Sequence, residues 1–219
     1  MPRRKIAPHH ALSIIFDFLC RRGLWQTYTT CHRIWKEYAV NYKLMFWYCV
    51  LFCQSIVAAE EKFSNNAAYN VCFTPGQNCT KTLIDYINRE KNSIFVQAYS
   101  FTSSPIAAAL IAAKKRGVQV KVILDKSQVN REKYSASKFL DNQGIPVWID
   151  SKPAIAHNKI FIFSDRIATG SFNFTKAAQE RNAENIIFIR DRGLTDRYRK
   201  NWFSRQKTST PLRKYKSRK

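Results

Sequence analysis

The sequence predicts an α/β fold in which helices sandwich a mixed β-sheet. Three observations carry this reading. From residue 81 onward, β-rich runs alternate with segments of helical spacing. Two of the helical segments stop at a glycine, Gly117 and Gly144, where a left-handed backbone closes a helix. Hydrophobic residues make up 45% of 219 residues, enough for a packed core and too many for wholesale disorder.

Each element follows from local signals. Residues 81–92 place Leu83, Ile84 and Ile87 on one helical face, and 93–101 (SIFVQAYSF) form a β-rich run. Residues 103–116 are Ala-rich, open on Ser-Ser-Pro and predict a helix. Residues 118–125 (VQVKVILD) alternate as a strand, 131–143 predict a helix, and 145–150 a strand with Pro146 near its start. Residues 159–163 (KIFIF) and 166–169 predict two strands around a turn. A short helix at 175–180, a strand at 185–190 and a helix at 194–205 complete the domain. The remainder, 206–219, holds six Lys/Arg and no acid and reads as a disordered basic arm. No internal repeat is present.

The N-terminal part differs. The apolar run 44–53 is ten residues long, half of the ~20 that span a bilayer but suited to a signal-peptide core. Lys43 precedes it, Val57-Ala58-Ala59 offers small residues at a cleavage site, and Glu60-Glu61 follows. Residues 44–59 therefore predict export to the periplasm or beyond, with cleavage after Ala59. An uncleaved anchor or a buried helix is the alternative. Residues 1–43 form a basic, aromatic extension that no signal peptide needs, and translation is expected to start further in. The folded domain is expected over 60–205.

Charge narrows the partner. The chain carries 37 Lys/Arg against 15 Asp/Glu, a net +22, and residues 60–219 keep about +16 of it. Solubility asks for a net charge of only ~2–8 in a small domain, so the excess points to a polyanion: nucleic acid, or an anionic membrane surface. Of six cysteines, only Cys72 and Cys79 lie beyond residue 59. In an exported protein they read as a short-loop disulfide, with two reduced core thiols as the alternative.

The chemistry concentrates between His157 and Glu184. His157 and Lys159 share one side of a strand, and Ser171 and Asn173 repeat that spacing beyond a turn. Pairing these strands would gather an imidazole, an ammonium, a hydroxyl and a carboxamide. That set suits a phosphodiester: a nucleophile, a cation and neutral donors for the non-bridging oxygens. Glu184 could hold the imidazole in one tautomer. His157 is the sole histidine after residue 59, so chemistry that needs two imidazoles requires a second copy of the chain around a two-fold axis. No His/Cys cluster has zinc-site spacing, so no metal or other cofactor is expected.

The motif resembles the His-x-Lys-x4-Asp…Gly-Ser-x-Asn signature of the phospholipase D superfamily. Cys72-Phe-Thr-Pro, Gln97-Ala-Tyr-Ser, Ala113-Lys-Lys-Arg-Gly-Val, Val122-Ile-Leu-Asp125 and Gly170-Ser-Phe-Asn-Phe-Thr extend the resemblance over about residues 70–205. They are similar to the small single-motif bacterial branch, which holds periplasmic endonucleases and rickettsial phospholipases D. The resemblance implies a phospholipase D-like α/β/α sandwich that dimerises, with one motif from each subunit in a shared cleft. His157 would form a phosphohistidine, its copy would serve as general acid and base, and Lys159 and Asn173 would hold phosphoryl oxygens without a metal. One position departs from the pattern. Ser164 stands where the family has Asp, Asp165 follows it, and ten residues rather than eleven separate Lys159 from Gly170. Either Asp165 serves through a shortened hairpin or Ser164 replaces it.

Three functions fit these residues. The basic surface favours a non-specific endonuclease on DNA or RNA. A phospholipase D releasing lipid head groups to give phosphatidic acid is the alternative, with Tyr99, Phe101, Trp148, Phe172 and Phe174 as candidates for an apolar wedge. An inactive nucleic-acid-binding dimer is the third.

Overall fold

A computed structural model describes residues 60–130 and 136–215. The 1–43 extension, the signal-like segment at 44–59, the start of the expected 131–143 helix and residues 216–219 lie outside the described residues. In chain order the elements are β1 (Ala68–Thr74), α1 (Cys79–Arg89), β2 (Ser93–Ala98), α2 (Ser104–Lys115), β3 (Gln119–Asp125), α3 (Ser127–Asn130) and α4 (Ala136–Asn142). Then follow β4 (Val147–Asp150), β5 (Lys159–Ile162), β6 (Arg166–Gly170), α5 (Lys176–Glu180), β7 (Glu184–Arg190), α6 (Arg192–Thr208) and β8 (Thr210–Pro211).

Local chemistry sets the helix ends. The Asn78 side chain accepts from the Lys81 amide at the start of α1, and Asp191 accepts from the Leu194 amide at the start of α6. Pro105 opens α2, and Gly117 closes it with φ of +91°. The strands form one mixed sheet in the order β1-β7-β6-β5-β2-β3-β4-β8. β2, β3 and β4 run parallel, each reached through a helical crossover, and the other pairings are antiparallel.

The two-residue period of the strands sorts the core into two layers. Val96, Phe161, Ala168 and Phe188 face one way and pack with Leu83 and Ile87 of α1 and Leu110 of α2. Phe95, Ile123, Ile160, Ile162 and Ile167 face the other way and pack on Trp202 of α6. The Trp202 ring is fully buried and stacks on Phe95 at 5.0 Å, and its indole N–H donates to the Val96 carbonyl at 2.9 Å. The predicted α/β/α sandwich with a mixed sheet is the observed architecture.

Two features depart from the sequence reading. β1 was not anticipated, because AYNVCFT mixes polar and apolar residues without clean alternation. It forms from its antiparallel pairing with β7, and the Cys72–Cys79 disulfide ties it to the start of α1. The expected basic arm from residue 206 is instead ordered through 215. α6 continues to Thr208, Thr210 pairs with Ile149, and Pro211 pairs with Trp148. Asp150, fully buried in β4, binds the Arg205 guanidinium with oxygens at 2.7 and 2.9 Å, which locks this end of α6 to the sheet.

Truncating Trp202→Ala removes a fully buried indole and leaves the Val96 carbonyl without its donor. The variant is expected to lose about 3–5 kcal/mol of unfolding free energy in a urea titration; a loss below 1 kcal/mol would show that α6 is not part of the cooperative core.

Candidate active site

The strand register gathers the predicted residues at one end of four neighbouring strands. Lys159, the first residue of β5, pairs with Ala98 at the end of β2. Gly170, the last residue of β6, pairs with Ile186 near the start of β7. His157 leads into β5, Ser171 and Asn173 follow β6, and Glu184 opens β7. Segments far apart in sequence, the start of β5, the end of β6 and the start of β7, thus lie at one end of the sheet because these strands run antiparallel.

His157 is exposed and Lys159 is buried at 7% exposure. The ammonium lies 3.2 and 3.3 Å from the two imidazole nitrogens and donates to the His157 carbonyl at 3.1 Å. Burial lowers the Lys159 pKa from its ordinary value, and the negative charge of Glu184 works against that shift. The cation thus sits directly beside the imidazole.

Ser171 and Asn173 are placed by alternation. Phe172 and Phe174 are buried and point into the core, which turns the residues between them the other way. Ser171 Oγ accepts from the Asn185 amide at 3.1 Å and from Asn185 Nδ2 at 3.3 Å, so its own O–H is left to donate outward. Asn173 Oδ1 is buried and has no hydrogen-bond partner. Gly170 is needed for close approach, since a Cβ there would lie 2.3 Å from the Asn185 carbonyl oxygen.

Three expectations change. Glu184 makes no hydrogen bond to His157 among the described residues; it accepts from Asn182 Nδ2 at 2.9 Å and acts on Lys159 through its charge. Asp165 is not brought to the site. With Ser164 it forms the two-residue tip of the β5–β6 hairpin, closed by the Phe163 amide on the Arg166 carbonyl at 2.9 Å. The length of β5, ~3.3 Å per residue, separates that tip from His157. There Asp165 binds Arg166 with both oxygens, at 2.8 and 3.0 Å, and this pairing holds its carboxyl below the usual range. Ser164 instead reaches across to Glu90, its hydroxyl donating at 2.6 Å and its amide at 3.0 Å. Burial alone would raise the Glu90 pKa; these bonds and the Asn92 and Lys91 amides outweigh it and lower the pKa. The candidate apolar wedge also dissolves, because Phe101, Phe172 and Phe174 are core and Trp148 packs against Trp202.

Two residues were missed by the motif. Asp125, 2% exposed at the end of β3, accepts from the Ala156 amide at 2.8 Å and from the Ser127 amide at 2.8 Å. It fixes the residue directly before His157. Its signal was a carboxylate directly after the apolar run Val122-Ile-Leu. Asn185, which holds Ser171, was hidden because its partner lies 14 residues away.

Comparison with known proteins places this geometry. A family described as "Cardiolipin synthase, PLD-like domain" matches residues 83–206. The chain belongs to the phospholipase D superfamily. A phospholipase D of Rickettsia prowazekii is 47% identical over 144 residues, 65% of this chain and 70% of that protein. Its counterpart in Rickettsia bellii is 49% identical over 138 residues, 63% of this chain and 68% of that protein. The crystal structure of Nuc, a phospholipase D family member from Salmonella typhimurium, superposes with a TM-score of 0.63. It is 36% identical, covering 69% of this chain and 99% of Nuc. The chain is a phosphodiester-hydrolysing enzyme of the single-motif branch of the superfamily.

The two aspartates separate position from chemistry. Asp165→Asn is expected to keep kcat within about twofold, since it stands at the far hairpin tip. Asp125→Ala is expected to lower kcat about 10²-fold, the scale of a ~1 Å misplacement of a reacting group. Steady-state kinetics on a chromogenic phosphodiester reads both, and equal losses would contradict the assignment. In Ser164→Ala the lowered pKa of Glu90 sets the sign: the stability loss in a urea titration, about 1 kcal/mol, is fully present above the ordinary carboxylate range and shrinks as pH falls below it through the lowered Glu90 pKa.

Proposed function

We propose that the chain is an exported, metal-independent endonuclease of low sequence specificity that acts as a homodimer through a phosphohistidine intermediate. The observation that carries the substrate is charge. Residues 60–219 hold about +16, and affinity for nucleic acid comes chiefly from neutralising phosphates. Among the described residues no helix or strand resembles a base-reading element, so backbone contact sets the specificity. Nuc, 36% identical and covered over 99% of its length, fits this reading as it fits a phospholipase D.

The chain holds one histidine after residue 59, and the reaction uses two imidazoles. In the first step, a ring nitrogen of His157 attacks phosphorus and the bond to the leaving oxygen breaks. The partner subunit's His157 gives its proton to that oxygen. In the second step, water attacks the phosphorus, the P–N bond breaks, and the partner's His157 takes the proton of the water. Lys159, Asn173 and Ser171 bind the non-bridging oxygens, where charge builds in the transition state. The Cys72–Cys79 bond accords with an oxidising compartment.

A second reading has its own observation. Ile155 stands two residues before His157 and is 58% exposed, an aliphatic tip beside the nucleophile. On a phospholipase D it would enter the lipid surface while the basic surface bound the anionic leaflet. The rickettsial relatives named phospholipase D support this alternative.

Parallel assays in EDTA on single-stranded DNA, RNA and phosphatidylcholine vesicles separate the readings. Nucleic acid is expected to be cleaved, with unchanged rate in EDTA and loss of at least ~10²-fold in His157→Ala, the scale of losing a nucleophile's covalent route. DNA binding by that variant is expected to stay within a few-fold and to fall steeply with salt. Choline release without DNA or RNA cleavage would establish the lipase. Inhibition by EDTA with rescue by a divalent ion would overturn the mechanism.

A further inference from the structure

Tyr99 is part of the site but absent from the motif. It directly follows β2, and its amide donates to the Asn158 carbonyl at 2.7 Å, which pins it alongside His157-Asn158-Lys159. The tyrosine and imidazole centroids are 4.5 Å apart, with the rings tilted by 55°. The Lys159 ammonium lies 5.3 Å from the tyrosine centroid. One aromatic ring therefore touches both groups that would meet the phosphorus.

The electrostatics of Lys159 make this contact consequential. The side chain is buried at 7% exposure, and among the described residues no carboxylate pairs with it. Among the described residues, three titratable groups face it. They are His157 within 3.3 Å, Tyr99 through its ring, and Glu184, whose charge acts from β7 without a hydrogen bond. An aromatic face carries negative charge density and attracts a cation within about 6 Å of its centre.

We propose that Tyr99 is a positioning residue whose ring keeps the Lys159 ammonium charged and the His157 imidazole seated before substrate arrives. This rests on the reading of His157 and Lys159 as the phosphodiester machinery. The face of the ring, not its hydroxyl, is the acting part. Burial opposes the charged form of Lys159 and the charge of Glu184 works against that penalty; the ring face, 5.3 Å from the ammonium, adds its own attraction. Removing the ring leaves burial less opposed, so Lys159 gives up its proton at lower pH. A neutral lysine no longer neutralises the phosphoryl oxygens, and the alkaline limb of the rate profile moves down with it.

The experiment follows Lys159 directly. The 13Cε resonance of Lys159 in the full chain, assigned by its loss in Lys159→Met, is titrated in wild type, Tyr99→Phe and Tyr99→Leu. A fourth protein carries trifluorophenylalanine at position 99, which keeps the shape of the ring and depletes its face. The Lys159 midpoint is expected to be unchanged in Tyr99→Phe. It is expected to fall by about 0.5–1 pH unit in Tyr99→Leu, and by a smaller amount in the fluorinated protein. The alkaline limb of kcat/KM on a chromogenic phosphodiester is expected to move by the same intervals. Midpoints unchanged in both the Leu and fluorinated proteins would overturn the proposal. So would a Tyr99→Phe midpoint as low as that of Tyr99→Leu, because the hydroxyl would then be the acting group. Absence of wild-type turnover would instead sink the reading of the site, while the resonance titration would still judge Tyr99.

Discussion

The structure depends on the antiparallel register that joins β2, β5, β6 and β7. Lys159 opposite Ala98 and Gly170 opposite Ile186 fix which strand ends coincide. A shift of one residue in β5 would turn Lys159 to the other face and break the apolar layering at Phe161 and Ile162. The buried side chains therefore hold the reacting ones in register. Ile160, Ile162 and Ile167 pack on Trp202 below one face, and Phe161, Phe172 and Phe174 fill the other.

Around that register, polar groups act at the points where the backbone leaves the sheet. Asp125 ties down the residue before His157, Asn185 holds Ser171, and the Asn158 carbonyl holds Tyr99. These are long-range contacts to backbone or hydroxyl partners. They cost little ordering entropy at the moment of reaction because the folded sheet has already arranged them. The far end of the β5–β6 hairpin has a different task. Ser164 and Glu90 join it to α1, and Asp165 and Arg166 close it on itself.

Much of the fold was legible because strand runs such as VQVKVILD and the glycines at 117 and 144 are local signals. β1 was not, because an edge strand with Asn70 and a single paired neighbour carries no strong pattern of its own. The order of residues 206–215 was hidden by their basic composition; what holds them is Arg205 on a buried Asp150 and two backbone pairings with β4. In the site, the short-period residues His157, Lys159, Ser171 and Asn173 could be placed by strand parity. The departure at Ser164 and Asp165 was visible as a missing residue, and its resolution into a two-residue hairpin tip needed the register. Glu184 illustrates the limit. Its position in sequence suggested a partner for the imidazole, whereas its carboxylate is taken by Asn182 and acts on Lys159 through space.

The central claim is that His157 attacks phosphorus. Rapid alkaline quenching of the full chain during turnover of a short DNA oligonucleotide, followed by peptide mass spectrometry, tests it directly. The account predicts a transient adduct on the peptide containing His157, with the mass of the phosphoryl-linked half of the substrate, and none in His157→Ala. Full turnover with no adduct at His157 at any quench time, or with an adduct on another residue, would contradict it.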